Sequence, residues 1–393
     1  MAEALSRRLD RPVSVRETGL TDDSGESAAV GGQGSVLQKL VVLAGTDADP
    51  ARRVTLIGSV FRQRTVPGPE SLDAYRSVGP VRRTAAVTGA DVERIRFLVS
   101  QFAAGWYRYG GGHARTALAS CLGDDVGRLV VHPASSAERR ELGSTAAQLA
   151  HLLGEMTADA GQQGLAQRYY LLALETAAEA DDHHTRAIIL RSMSVQAIRM
   201  AALQYAADLA DAAVTTASPS SSGDLQAFVL TQRAHVRALR GERHGAHQDL
   251  DAAEGALDRA DDRQGPFFRY PRAGFAYRQG QTLHRLGDDG PALDALRYAA
   301  THRPAHEHRL TASSQARAAL VLLERGQIEE ACFHGWLLTK EYPFLRSHRS
   351  ALALRELRAR LVPFRRLPEA AALLAKLSSF ATPAARSRPS PGA

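Results

Sequence analysis

GQTLHRLGDDGPALDALRYAATHRP, residues 280–304, reads as two apolar helical runs joined at a glycine. Gly287 suits the left-handed position that closes a first helix, because it has no Cβ to clash there. Ala292, five residues on, is small enough for the second helix to approach the first, and Leu296 and Ala299 continue its apolar face. Pro304 stops that helix. The same glycine-to-alanine offset recurs from Gly161 to Ala166, from Gly241 to Ala246 and from Gly326 to Ala331, and Pro343 closes the last of these units. Ala206 and Ala370 continue the alanine series without the glycine. The six alanines therefore recur at steps of about 40 residues, the longest of which contains an expanded turn, DDRQGPFFRYPRAG,. A repeat of this size means stacked helical hairpins. The expected fold is all-α: a right-handed solenoid of antiparallel helical hairpins over 147–380.

Working outward, 89–146 reads as a helical lead-in. Val92, Ile95, Leu98 and Phe102 keep helical spacing, three glycines at 110–112 break the run, and a new helix starts near Ala114,. His132-Pro133 ends that helix, and Ser135 or Ser136 can cap the next. Residues 21–88 read as a linker with short helices: a Gly/Ser/Asp-rich stretch, then two apolar runs split at Asp47–Pro50. Residues 1–20 begin with a short helix stopped at Pro12, and 381–393 read as a disordered basic tail,.

The chain has 393 residues, a formal charge of +7 and only two cysteines, Cys121 and Cys332. The cysteine spacing excludes a zinc site of the CxxC kind and fits a reducing, cytoplasmic setting. No stretch is apolar enough for a membrane span, so no membrane partner is expected. The excess of 49 basic over 42 acidic residues is mild, and solvated helix faces are the better reading, with phosphate contact as the alternative,.

The sequence carries no enzyme signature: neither a phosphate loop nor a nucleophile elbow is present. Gly110–Gly112 reads as a tight interhelical turn, with an anion cradle beside His113 and Arg115 as the alternative. His302, His306 and His308 cluster, but Pro304 interrupts them, and a solvated loop is the better reading than a metal site. Arg355, Arg358, Arg360, Arg365 and Arg366 read as the polar outer face of a capping hairpin, or else as a surface for an acidic partner or a phosphate backbone. No metal, cofactor or catalytic residue is assigned.

The turn glycine, following alanine and later proline resemble the tetratricopeptide repeat (TPR). A narrower resemblance rests on Arg108-Tyr109-Gly110-Gly111-Gly112-His113-Ala114-Arg115 and on GLAQRYYLLAL at 164–174. These look like a group of actinobacterial transcriptional regulators that join an Xre-type helix-turn-helix domain to a C-terminal TPR array. Leu5, Leu9, Arg11, Pro12, Val13, Gly19 and Leu20 match the segment that ends such a DNA-binding domain, and Asp10 replaces its usual glycine. The resemblance makes 1–20 a remnant of that domain, whose scanning and recognition helices would precede Met1. DNA is then a partner only if such an N-terminal domain exists, and a homodimer would suit the palindromes that family regulators read.

In a TPR array the first helix of each hairpin lines the concave side. The resemblance therefore implies a partner-binding groove formed by His151, Glu155, Arg191, Arg199, His235, Tyr277, Gln281 and His284, suited to a protein or peptide ligand. The expected function is that of a transcriptional regulator-like protein acting through its array. A TPR scaffold or adaptor with no DNA-binding role is the alternative.

Overall fold

The computed structural model describes residues 35–56, 58–66, 86–132, 134–217, 221–259 and 270–380, and no strand occurs among them. α1 (Val36–Ala48), α2 (Gly89–Tyr109) and α3 (Arg115–Ser120) come first, and α3 continues through a π-turn at Cys121–Val126 to Val130. Twelve helices follow as six adjacent pairs. They are α4 (Ser136–Asp159) with α5 (Gln163–Glu179), α6 (His183–Arg199) with α7 (Leu203–Thr216), and α8 (Gly223–Leu239) with α9 (Arg243–Asp258). Then come α10 (Arg272–Leu286) with α11 (Asp289–Thr301), α12 (His308–Glu324) with α13 (Ile328–Glu341), and α14 (His348–Leu361) with α15 (Pro368–Ser379). No described helix is long and apolar enough to cross a membrane.

The first five pairs share one turn. The second residue after it donates back to a carbonyl in the last turn of the first helix: Gln162 to Thr157, Ala202 to Ala197, Glu242 to Arg237, Asp288 to Leu283 and Gln327 to Leu322, at 2.9–3.1 Å,. Gly161, Gly241, Gly287 and Gly326 occupy the left-handed position at φ +90°, +79°, +85° and +73°. In the second pair Ala201 takes it at φ 56°, so the five-residue offset to Ala206 survives without a glycine. The sixth pair reverses differently, through a short 3-10 turn at Val362–Phe364 and Pro368 at the start of α15.

The alanines of the series, Ala166, Ala206, Ala246, Ala292, Ala331 and Ala370, are all at 0% exposure. Each lies in the second helix of its pair, where only a methyl group separates it from its packed neighbours,. These repeat positions are therefore closed to any partner: they set the packing of the helices and form no part of a binding surface.

The pairs are tied to one another through buried polar groups. His151 meets Ser192 at 2.9 Å, and Gln232 donates to Ser194 at 3.0 Å while Ser194 donates to the Ala206 carbonyl at 2.8 Å. Each bond satisfies a group that burial would otherwise strand.

Two expectations change here. α4 starts at Ser136, where Ser135 and Glu138 form a capping box, so the boundary expected at 146/147 falls inside one continuous helix,. The second half of the expected linker is part of the core. α1 buries Leu40, Leu43 and Ala44, and Asp47, with 0% exposure, receives two hydrogen bonds from Arg115 at 2.6 and 2.9 Å and one from Tyr169 at 2.8 Å. Only one of the two apolar runs makes a full helix. After an α-helical turn at Pro50–Arg53 and a 3-10 turn at Val54–Leu56 the chain extends across α5, where Arg62 and Gln167 exchange two hydrogen bonds. The expected remnant at 1–20 and tail at 381–393 lie outside the described residues.

Candidate functional site

The first helices of the pairs turn charged side chains toward a shared interior. Glu155 comes from α4, Arg191 and Arg199 from α6, His235 from α8, Arg278 from α10 and Arg349 from α14. Glu155 accepts from the Tyr170 hydroxyl at 2.8 Å and faces Arg349 at 3.8 Å. Arg191 stacks on the Phe228 ring at 4.0 Å, an arrangement in which the ring face offsets part of the lost hydration,. Arg278 donates to Gln281 at 3.0 Å, and Gln281 donates to the Tyr277 hydroxyl at 3.1 Å.

These groups feel one another's charge. Burial opposes ionisation of Glu155, but Arg349, His151 and the Tyr170 hydroxyl outweigh it and hold the carboxyl at about 2,. Burial brings His151 down to about 4 against the pull of Glu155. His235 is pushed well below its ordinary range by burial, then by Arg278, Arg317 and Arg191. Yet Arg349 keeps 22% of its side chain exposed, and Arg191, Arg199, His235, Tyr277, Arg278 and Gln281 are likewise only half-buried. A wall enclosed by protein but still reached by solvent is what a ligand-binding interior requires.

Of the eight expected groove residues, Glu155, Arg191, Arg199, His235, Tyr277 and Gln281 come together. His151 is buried at the contact between α4 and α6, where it holds Ser192 and lies 6.0 Å from the Tyr170 ring. His284 is drawn aside to carboxylates of its own turn and the next pair, Asp289 and Glu324, each at 3.0 Å. Sequence reasoning missed Arg278 and Arg349. Arg278 adjoins Tyr277 on a helix already assigned to the wall, so its position held a signal. Arg349 had none, since its place depends on contact between the two ends of the array.

That contact is built at the glycine triplet. Gly111 donates to Asp159 Oδ2 at 2.7 Å, and Ser347 donates to Asp159 Oδ1 at 2.8 Å. The Arg346 amide donates to the Tyr109 carbonyl at 2.7 Å, and the Gly112 amide to the Arg346 carbonyl at 2.6 Å. Arg309 adds a donor to the Trp106 carbonyl at 3.2 Å and lies 4.1 Å over its ring. The last pair is thereby clasped to the first. The triplet does receive an anion, but it is the chain's own Asp159.

The remaining candidates have local partners or face outward. His302 stacks on Tyr298 at 3.9 Å, and His308 bonds Glu341 at 2.7 Å. Arg355, Arg358, Arg360, Arg365 and Arg366 are exposed. Both cysteines are buried thiols, and burial pushes Cys121 up to about 12, away from thiolate chemistry,.

No family model matches the chain, and no curated protein matches it.

Proposed function

We propose that this is a regulator-like, TPR-type protein whose array of helical hairpins captures a peptide or protein segment along its inner wall. The observation that carries this reading is the convergence of polar side chains from the first helices of successive pairs onto one solvent-reached surface. Local pattern alone would leave those residues on separate helices. Capture there would bias the contact between the two ends of the array, which supplies a two-state element for regulation. Where an Xre-type domain precedes the array, that bias would reach DNA.

Affinity selection of a random peptide library on the purified protein tests the reading. Peptides should be enriched by the wild type and lost together in Arg191→Gln and Tyr277→Phe, with circular dichroism unchanged. Enrichment that survives both substitutions sinks the groove.

The adaptor alternative draws on the outer surface, where Phe333 is 59% exposed and Trp336, one helical turn on, is also partly exposed. A selection that depends on Phe333 rather than on Arg191 would favour it.

A further inference from the structure

Two arginines of the outer faces are gripped by carboxylates. Arg233 grips Asp249 at 2.9 and 2.7 Å, and Arg297 grips Glu330 at 2.7 and 2.8 Å. On the inner wall four arginines have no such partner, and a fifth, Arg349, has only long pairs. Among the described residues, Arg191, Arg199, Arg278 and Arg317 have no carboxylate within ion-pair distance, and Arg349 faces Glu155 and Asp159 only at 3.8 and 3.6 Å. The Nε–H groups of Arg191, Arg278 and Arg349 are buried without a hydrogen-bond partner.

The two inner carboxylates are already committed. Asp159 holds Gly111 and Ser347 in the clasp, and Glu155 accepts from Tyr170. Apart from Arg303, which pairs with Glu307 at 3.5 Å, and Arg309, which is held at Trp106, five guanidinium groups face two carboxylates. Burial lowers Arg191 and Arg199 to about 9, and the next largest effect on each is another arginine, Arg278 and Arg349 respectively. Stranded donors and like charges in one enclosure are unfavourable in the empty protein. The same arrangement is a pre-organised receptor for an anion that brings several charges and several acceptor oxygens.

We infer that the inner wall binds a compact multivalent anion, a phosphoryl or pyrophosphoryl group of the ligand, with Arg191, Arg278 and Arg349 as its principal donors. One carboxylate would leave two of the three excess charges facing each other. A phosphoryl group brings roughly two charges and three strong acceptor oxygens, which matches both the charge excess and the forked donors. Tyr277, 6.0 Å from the Arg303 guanidinium and bonded to Gln281, offers a ring beside the cluster for the rest of the ligand. The inference rests on the interior being the binding surface, not on the ligand being a peptide.

Titration calorimetry on the full chain with inorganic pyrophosphate tests it. Pyrophosphate should bind one site per chain, and Arg191→Gln and Arg278→Gln should each weaken it at least tenfold. The outer variant Arg297→Gln should leave binding unchanged. Removing one of several repelling charges should also hold or raise the melting temperature of the unliganded inner variants, so loss of binding is separable from loss of fold. Should an inner variant nonetheless unfold, Arg278→Lys keeps the charge, loses the fork and should still bind measurably more weakly. Phenyl phosphate and a phosphoserine peptide, titrated in parallel, distinguish a small-molecule source from a modified segment, and tighter binding of either supports the inference. Absence of heat with pyrophosphate, binding no tighter than sulfate, or equal weakening by Arg297→Gln overturns it. A peptide selection that fails while pyrophosphate binds removes only the peptide reading, and the converse removes only this one.

Discussion

Glycines close both the pair turns and the clasp, and they are needed for different reasons. At Gly241, Gly287 and Gly326 an added Cβ would meet nothing within 4 Å, so the requirement is the positive φ alone. At Gly111 an added Cβ would lie 2.3 Å from the Met156 carbonyl oxygen, and at Gly112 2.8 Å from that of Arg346. There the requirement is the space taken by distant backbone. A turn glycine reports a local conformation, whereas a clasp glycine reports a tertiary contact, and the two should respond to mutation on different scales.

The largest effect is expected at the carboxylate that holds the clasp. Asp159→Ala strands the Gly111 amide and leaves Arg349 with less compensation, and loss of one buried ionic partner costs about 4 kcal/mol,. Chemical denaturation should show this drop, and hydrogen exchange should quicken at Arg346–Arg349. Gly111→Ala attacks the same contact by crowding, at about 3 kcal/mol. If its exchange increase were confined to residues 109–113, the clasp would not be a single cooperative contact.

Buried His151, at the contact between α4 and α6, adds a pH dependence of comparable size. Burial lowers His151 to about 4 from an ordinary 6.5. Below pH 6.5 the unfolded chain binds a proton that the folded protein refuses until about pH 4. The contribution of this group is therefore level above pH 6.5 and falls as the pH drops through that window, by about 3 kcal/mol. His151→Gln should make the decline between pH 6.5 and 4.5 shallower in a series of urea melts, leaving the share of His235, which is also held well below its ordinary range. Glu155, held at about 2, adds a further loss only below its ordinary 4.5.

The turns should give the smallest changes. Gly287→Ala meets no atom and forces only the backbone, for about 1 kcal/mol,. Ala201 already bears that strain at φ 56°, so Ala201→Gly should stabilise the protein by about 1 kcal/mol or less,. Thermal melts of the two variants should move in opposite directions. A fall in both would mean that the second turn differs from the others in more than its residue.

Much of the helical pairing was readable from the residues. The buried alanines, Ala166, Ala246 and Ala331 among them, and the left-handed glycines are local requirements, set by neighbours within a turn or two of helix, and such requirements leave a periodic mark. Ala201 escaped notice because alanine is a helix former, and nothing in its type announces a positive φ. Asp47 escaped because an acidic residue beside Pro50 reads as a loop, and its partner Arg115 lies 68 residues away. Six of the eight residues expected along the first helices lie near one another, because they follow the helical register that the repeat itself defines.

The local pattern thus specified helices in adjacent pairs and the glycine-closed turns between them. The closing of the last pair onto the first, the placing of Arg349 opposite Glu155, and the gathering of unpaired guanidinium groups into one enclosure belong to the folded chain alone. Asp159 and Ser347 are 188 positions apart and meet only because the intervening helices stack as they do. A contact at that separation is the product of every packing angle between its ends, and no single stretch of sequence encodes it.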